Sequence, residues 1–282
     1  MSKFDTKVAV WLTEDEPGII GKSWNGLVFF RHNTFLRDFS IGRLLSWLSR
    51  LAMSTSGPAI THFIFKKITL AEAAIASCVI FALFTINSLL EQWLKRKSSV
   101  VDAASAETWV RIGDLISSVK SSATPAQARD GSITATLGVI EGYARTVTRS
   151  PKGEISVSLA LYDGESTSKM KIKHRNPGNE RPIGRPVRNL NKVLGHIACQ
   201  SGPGARVVND LKDFGKEAMF SPTQSSRNYR SLLLIPITSS RTKKIQGFIS
   251  IDCARPYAFY RNRAKQLVVT CEPLIDHIQE QC

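Results

Sequence analysis

Two apolar runs near the end of the chain carry its clearest pattern. Ser231 to Ile237 is almost continuous in Leu and Ile, and Lys244 to Ile251 is a second run beyond the polar turn Ser239-Ser240-Arg241-Thr242. Runs of this length around a polar turn predict a β-hairpin. Their near-continuous apolarity predicts a pair covered on both faces, or lying at the centre of a sheet. Upstream, Ile155 to Tyr162 alternates, with Val157, Leu159 and Leu161 opposite Ser156, Ser158 and Ala160. Asp163-Gly164 is a turn signal. A second strand follows over Lys169 to His174, with Met170 and Ile172 facing one way and Lys169, Lys171 and Lys173 the other. A helix is predicted for Asn189 to Gln200, a short strand for Ala205 to Val208, and a closing helix for Arg263 to Gln281. Ahead of the strands, Ile133, Leu137, Ile140 and Tyr143 share one face of a helix over Ala126 to Thr146. A further helix is predicted from Val100 to Ala123, with Thr124-Pro125 separating the two.

The first part of the chain has a different pattern. Ile68 to Leu90 is 23 residues with one acid, Glu72, near its start. As a helix it is about 34 Å long, enough for a hydrocarbon core of about 30 Å. Trp93 and Lys95-Arg96-Lys97 follow, as at a boundary with anionic headgroups. Leu44 to Phe65 is also long enough to span, but holds Arg50, Gly57-Pro58 and His62, and its first half has the spacing of a basic amphipathic helix. A single span would export the C-terminal domain; a hairpin of two keeps both basic ends inside. The hairpin is preferred, with candidate spans 44–65 and 68–90. Residues 1–40 are unassigned, with two short strands expected at Val8 to Leu12 and Leu27 to Phe30.

Three pieces of the C-terminal region resemble the GAF domain, a sensor module of signalling proteins. They are Arg230-Ser231-Leu232-Leu233-Leu234-Ile235-Pro236, Gly247-Phe248-Ile249-Ser250-Ile251, and Pro256-Tyr257-Ala258-Phe259. The element order is also similar. The resemblance covers about residues 125–282 and implies an α+β fold: an antiparallel sheet with helices on one face and a ligand loop region on the other. The expected organisation is a membrane region at 41–97, a connector helix at 98–124 and the GAF-like domain at 125–282.

Charge narrows the partners. The chain carries a formal +15, with a pI near 9.8, which favours anionic partners. The middle of the domain concentrates this charge: Lys169, Lys171, Lys173, Arg175, Arg181, Arg185, Arg188 and Lys192 stand against Glu180 alone. The three alternating lysines read as an outward face. Arg181, Arg185 and Arg188 lie in a loop rich in Pro and Gly, and the resemblance places that loop near a ligand. Arginine offers a planar fork suited to phosphate. The resemblance also implies that Asn209 and Asp210 shape a pocket rim; the alternative is an N-cap for the turn at Leu211. Arg230, Ser231 and Asp252 complete the candidate set. A nucleotide-like ligand, membrane lipids and a homodimer or higher oligomer are the expected partners, and no nucleic-acid polymer is expected.

Departures from the family limit this reading. The chain lacks the Asn-Lys-Phe-Asp-Glu motif of cyclic-nucleotide members, and Cys199 follows His196 in the reverse of the bilin-attachment order. The five cysteines show no CxxC pair and no zinc spacing, which points to reduced thiols and a domain in the cytoplasm, anchored at the inner membrane. A reductase of the GAF type would need Cys199 and Cys253 in one pocket. No catalytic residue, metal site or cofactor is assigned. The two readings are a membrane-anchored sensor and a ligand-free dimerisation module.

Overall fold

The computed structural model describes residues 2–13, 17–36, 41–66, 68–98, 126–164, 167–184, 186, 189–220, 229–239 and 242–282. Contacts divide the chain into two units, residues 35–103 and residues 1–34 with 104–282. The expected connector helix at 98–124 falls outside the described residues, apart from Ser98 at the end of a helix.

The smaller unit is a pair of helices, α3 (Ile41–Phe63) and α4 (Leu70–Ser98), packed side by side. Trp47 meets Phe81 edge-on at 5.5 Å between centroids. The turn between them is well specified. Thr69 and Glu72 form a reciprocal capping box: Thr69 N donates to Glu72 Oε2 at 2.7 Å, and Glu72 N donates to Thr69 Oγ1 at 3.3 Å. Glu72, the one acid of the expected span, therefore marks its start.

Among the described residues only Leu70–Ser88 is long and apolar enough to cross a membrane. The second span expected at 44–65 does not meet that measure. Arg43, Arg50, His62 and a run of serines and threonines lower the apolarity of α3, although it continues as one helix through Gly57-Pro58. Its hydroxyls turn back on the helix: Thr55 Oγ1 donates to Leu51 O at 3.0 Å and Thr61 Oγ1 to Gly57 O at 2.9 Å.

The larger unit is built on a five-stranded antiparallel sheet. Its strands are β1 (Ile155–Tyr162), β2 (Met170–Arg175), β3 (Arg206–Val208), β4 (Ser231–Thr238) and β5 (Ile245–Cys253), in the order β2-β1-β5-β4-β3. The hairpin β4–β5 lies at the centre and is buried on both faces, as its apolar pattern requires. Gly247 is needed where β5 crosses β1, since a Cβ there would sit 2.0 Å from Ala160 O.

One face is covered by α5 (Ala126–Thr148) and α7 (Asn262–Gln281), whose apolar stripes meet Val157, Leu159, Leu233, Ile235, Ile249 and Ile251. The other face carries α6 (Leu194–Gln200) and the 3-10 segment Leu211–Phe220. Gly195 lets α6 rest directly on Phe248, whose ring would lie 2.1 Å from an added Cβ.

Residues 3–13 and 19–35 are helical, which overturns the two strands expected at Val8 to Leu12 and Leu27 to Phe30. The helices are α1 (Lys3–Thr13) and α2 (Ile19–Phe30), the latter running on into a π-helical turn at Arg31–Phe35. The signals are local. Ser2 and Asp5 cap α1 reciprocally, at 2.9 and 3.2 Å, and Phe4, Val8 and Trp11 recur at helical spacing. That stripe joins the outer core: Phe4 and Val8 are buried, and Trp11 Nε1 donates to Val207 O at 2.8 Å.

Candidate functional site

The outer face of the sheet is apolar at one end and polar at the other. Alternation on β1 turns Ser156 and Ser158 to that face, and alternation on β5 does the same for Ser250 and Asp252. Strands β1 and β5 are neighbours, with Ser156 opposite Asp252 and Ser158 opposite Ser250. All four residues are buried, and Asp252 is fully so.

Two arginines come to this patch from the β2 side. Arg175 ends β2 and is 5% exposed. Arg181 arrives on the loop that follows, which is pinned to the sheet: Asn176 Oδ1 accepts from Val157 N at 2.9 Å, and Asn179 Nδ2 donates to Ser156 Oγ at 2.7 Å. The loop returns along β2, where Gly184 N donates to Ile172 O at 2.8 Å. Arg181 Nη2 donates to Ser156 Oγ and reaches Asp252 Oδ2 at 3.5 Å. Its guanidinium lies over the Tyr229 ring, 4.9 Å from the centroid. Ser250 Oγ donates to the other oxygen of Asp252.

Arg175 is less well served. Its Nη2 has one long contact, 3.5 Å to Pro182 O, while Nε and Nη1 are buried with no hydrogen-bond partner among the described residues. Among the described residues, Ser158 Oγ and Tyr229 OH are buried without partners as well. Burial, and next the neighbouring Arg181 charge, bring the Arg175 guanidinium down to about 10. Burial raises the Asp252 carboxyl, against the lowering effect of Arg181, Ser250 and Arg175. The patch is thus two guanidiniums and one carboxylate in a closed site.

The remaining candidate residues fall in a second place. Asp210 forms a forked pair with Arg230, Nε to Oδ1 at 2.8 Å and Nη2 to Oδ2. Asp210 Oδ1 also accepts from Lys212 N at 3.0 Å, so Asp210 caps the 3-10 segment. Asn209 offers its backbone oxygen to Tyr257 N at 2.7 Å. Ser231 Oγ donates to Arg255 O at 2.7 Å, and so is spent on the backbone. Of the sequence candidates, the structure joins Arg181 to Asp252 and Asp210 to Arg230. Arg185 and Arg188 lie outside the described residues. Ser156, Ser158, Arg175, Tyr229 and Ser250 were not singled out. The available signal was hydroxyls spaced by two in strands otherwise apolar on both faces.

The thiols are separated by the sheet. Cys199 packs in the outer core, where Sγ donates to Gly247 O at 3.2 Å, and Cys253 packs in the inner one. Burial pushes the Cys199 thiol up to about 12 and raises that of Cys253. Neither is a ready nucleophile. Beside α6, an open groove of about 840 Å³ is lined in part by Thr167, Asn189, Lys192, His196 and Gln200. Within it His196 Nδ1 and Tyr162 OH are 2.7 Å apart, and burial lowers the imidazole, which keeps it neutral at pH 7.

No protein-family model matches the sequence, and no curated protein does. The domain is similar to solved GAF domains. One is 13% identical over 66% of this chain and 90% of its own, with a TM-score of 0.47. The GAF domain of Acinetobacter phosphoenolpyruvate-protein phosphotransferase is 16% identical over 59% of this chain and 89% of its own, with a TM-score of 0.42. A type II free methionine-R-sulfoxide reductase from Thermoplasma acidophilum is 16% identical over 54% of this chain and 96% of its own, at 0.38. The strand order and flanking helices described above make the domain an α+β fold built on one antiparallel sheet.

Proposed function

We propose that this is a membrane-anchored regulatory protein whose GAF-like domain takes a small anionic ligand at Arg175, Arg181 and Asp252. The observation that carries the reading is the buried Arg175 guanidinium with two unpartnered nitrogens. A buried charged donor left unmade costs about 1–3 kcal/mol or more. Such groups in folded proteins have partners or a use. An anion with phosphate-like oxygens would accept from Arg175 Nε and Nη1, and the buried Ser158 Oγ and Tyr229 OH would add donors. The anchoring half of the reading is supported by the apolar length of Leu70–Ser88 and by the basic residues 95–97 beyond it. The free cysteines support a cytoplasmic domain. A nucleotide is the chemistry that best joins a phosphate to a stacking surface like the Tyr229 ring. The output would pass through residues 98–124 or the helix pair.

The second reading, a ligand-free dimerisation module, is favoured by one observation. Arg181 already lies over Tyr229 and against Asp252, so the site is closed by its own side chain. A ligand must displace or share it.

The test is a melting series on the full chain in detergent, with inorganic phosphate, nucleoside monophosphates and cyclic dinucleotides as probes. A probe at about 100 times its Kd adds about 2.7 kcal/mol. For a domain of this size that is a rise of about 5–10 °C. Arg175→Met should abolish the rise while leaving the probe-free protein at least as stable, because it removes an unpaired buried charge. If no probe shifts the wild type, and melting depends only on protein concentration, the module reading replaces this one.

A further inference from the structure

Helix α2 has two faces with opposite fates. Asn25, Phe29 and Asn33 fall on one side and are held by the loop after β5. Tyr257 OH donates to Asn25 Oδ1 at 3.1 Å, Phe29 meets Tyr260 at 5.8 Å, and Asn33 Nδ2 donates to Pro256 O at 2.9 Å. Arg255 adds a contact from the same loop, Nη1 to Asn33 Oδ1 at 3.1 Å, and Arg263 at the start of α7 lies over the Phe29 ring at 4.8 Å. The opposite side is apolar and open. Ile19 and Ile20 are 86% and 87% exposed, Trp24 is 64% exposed, and Leu27 and Phe30 are more than half exposed. Single exposed apolar residues are ordinary; a contiguous stripe of five on one short helix is not.

Three observations choose the occupant. The stripe combines Trp, Phe and branched aliphatics, and residues 17–36 carry the basic Lys22 and Arg31 but no acid, the composition of a helix that lies in a lipid interface. The chain as a whole is strongly basic, which suits an anionic surface. Finally, only residues 37–40 separate this helical segment from α3, the partner of the candidate span. We infer that α2 docks its Ile20–Trp24–Leu27 face into an anionic lipid surface and holds the GAF-like domain against it. The inference rests on the membrane-anchored reading above. It has a structural consequence: the loop gripped by α2 begins two residues after Asp252, so the candidate ligand site and the lipid-docked helix share one short segment.

The experiment uses the full chain with Cys78→Ser and Cys282→Ser, reconstituted into vesicles of three parts phosphatidylethanolamine to one of phosphatidylglycerol. An environment-sensitive nitrobenzoxadiazole label is placed at Trp24→Cys, at Ile80→Cys in the candidate span, and at Thr13→Cys on the exposed end of α1. The expected result at position 24 is a blue-shifted emission quenched by lipid carrying a shallow doxyl group, with position 80 quenched by a deep doxyl group and position 13 by neither. A label at 24 that lipid doxyl groups do not quench overturns the docking, and self-quenching there on raising protein density assigns the face to a second copy instead. The label at 80 reports the anchor separately. If 80 is unquenched, the span reading fails, and position 24 still decides whether α2 meets lipid.

Discussion

Replacing Arg181 with methionine tests the electrostatics of the buried patch, because its effect must depend on pH. The substitution keeps most of the side chain's length and apolar stem but removes the cation that most lowers the Asp252 carboxyl. Two outcomes follow from the sign of that change. At neutral pH, breaking a buried pair strands the other charge and costs about 3–5 kcal/mol. A domain of this size loses about 2–4 °C of melting temperature per kcal/mol, so the drop is about 6–20 °C. The folded-state pKa of Asp252 is already raised above that of the unfolded chain, and losing Arg181 raises it further. Over the window from the unfolded value of 3.8 up to the raised value, the folded state keeps a proton that the unfolded state has released. The variant's stability must therefore fall as pH rises, by up to about 1.4 kcal/mol per pH unit. Below that window Asp252 is neutral in both states, and the penalty shrinks. The assay is a denaturation series on the full chain in detergent at pH 5, 6, 7 and 8, wild type beside Arg181→Met and the double variant Arg181→Met/Asp252→Asn. The double variant removes both charges and should recover much of the loss with little pH dependence. A loss in Arg181→Met that is the same at pH 5 and pH 8 would refute the coupling between these two side chains.

Other substitutions probe the frame around the site. Gly195→Ala forces a methyl into the Phe248 ring and should destabilise by about 1–3 kcal/mol; adding Phe248→Leu should relieve it, and a double-mutant cycle on melting data measures the recovery. Phe4→Ala removes a buried anchor of α1 on the outer core and should cost about 3 kcal/mol, read as faster proteolysis of the N-terminal helix and a lower melting temperature; an unchanged melt would mean that α1 is not part of the domain. Burial lowers His196, as it does His32, His174 and His277. Acidification below 6.5 must then destabilise the fold until each folded-state value is passed, since the unfolded chain binds those protons first. His196→Asn should reduce that slope, and a wild-type and variant pair with parallel pH curves would remove His196 from the explanation.

Residue types along the chain were enough to place the sheet and its inner helices. The β4 run is apolar at nearly every position and β5 keeps Phe248, Ile249 and Ile251 among its polar residues, and a central, doubly covered pair satisfies such runs, so their place could be read from residue types alone. The stripe Leu267, Cys271, Leu274, Ile278 likewise left one face for α7 to bury. Val8 to Leu12 was expected as a strand because a short apolar run carries no length signal; what decided it was the Ser2–Asp5 cap and the partners Phe214 and Val207, about two hundred positions away in the chain. The site was legible only in fragments. Arg181 and Asp252 were candidates, but Arg175 looked like one more cation of a basic stretch, and Ser156, Ser158 and Ser250 looked like spacers. Strand register brings Ser156 beside Asp252 and Ser158 beside Ser250, and the loop pinned by Asn176 and Asn179 lowers Arg181 onto them. A cation's meaning depends on whether water can reach it. Lys173 on the outer edge of β2 is solvated and ordinary, while Arg175 two residues on is sealed from solvent with donors unpaired. That difference is one of dielectric and hydrogen-bond supply, and only the packing of the tertiary structure sets either.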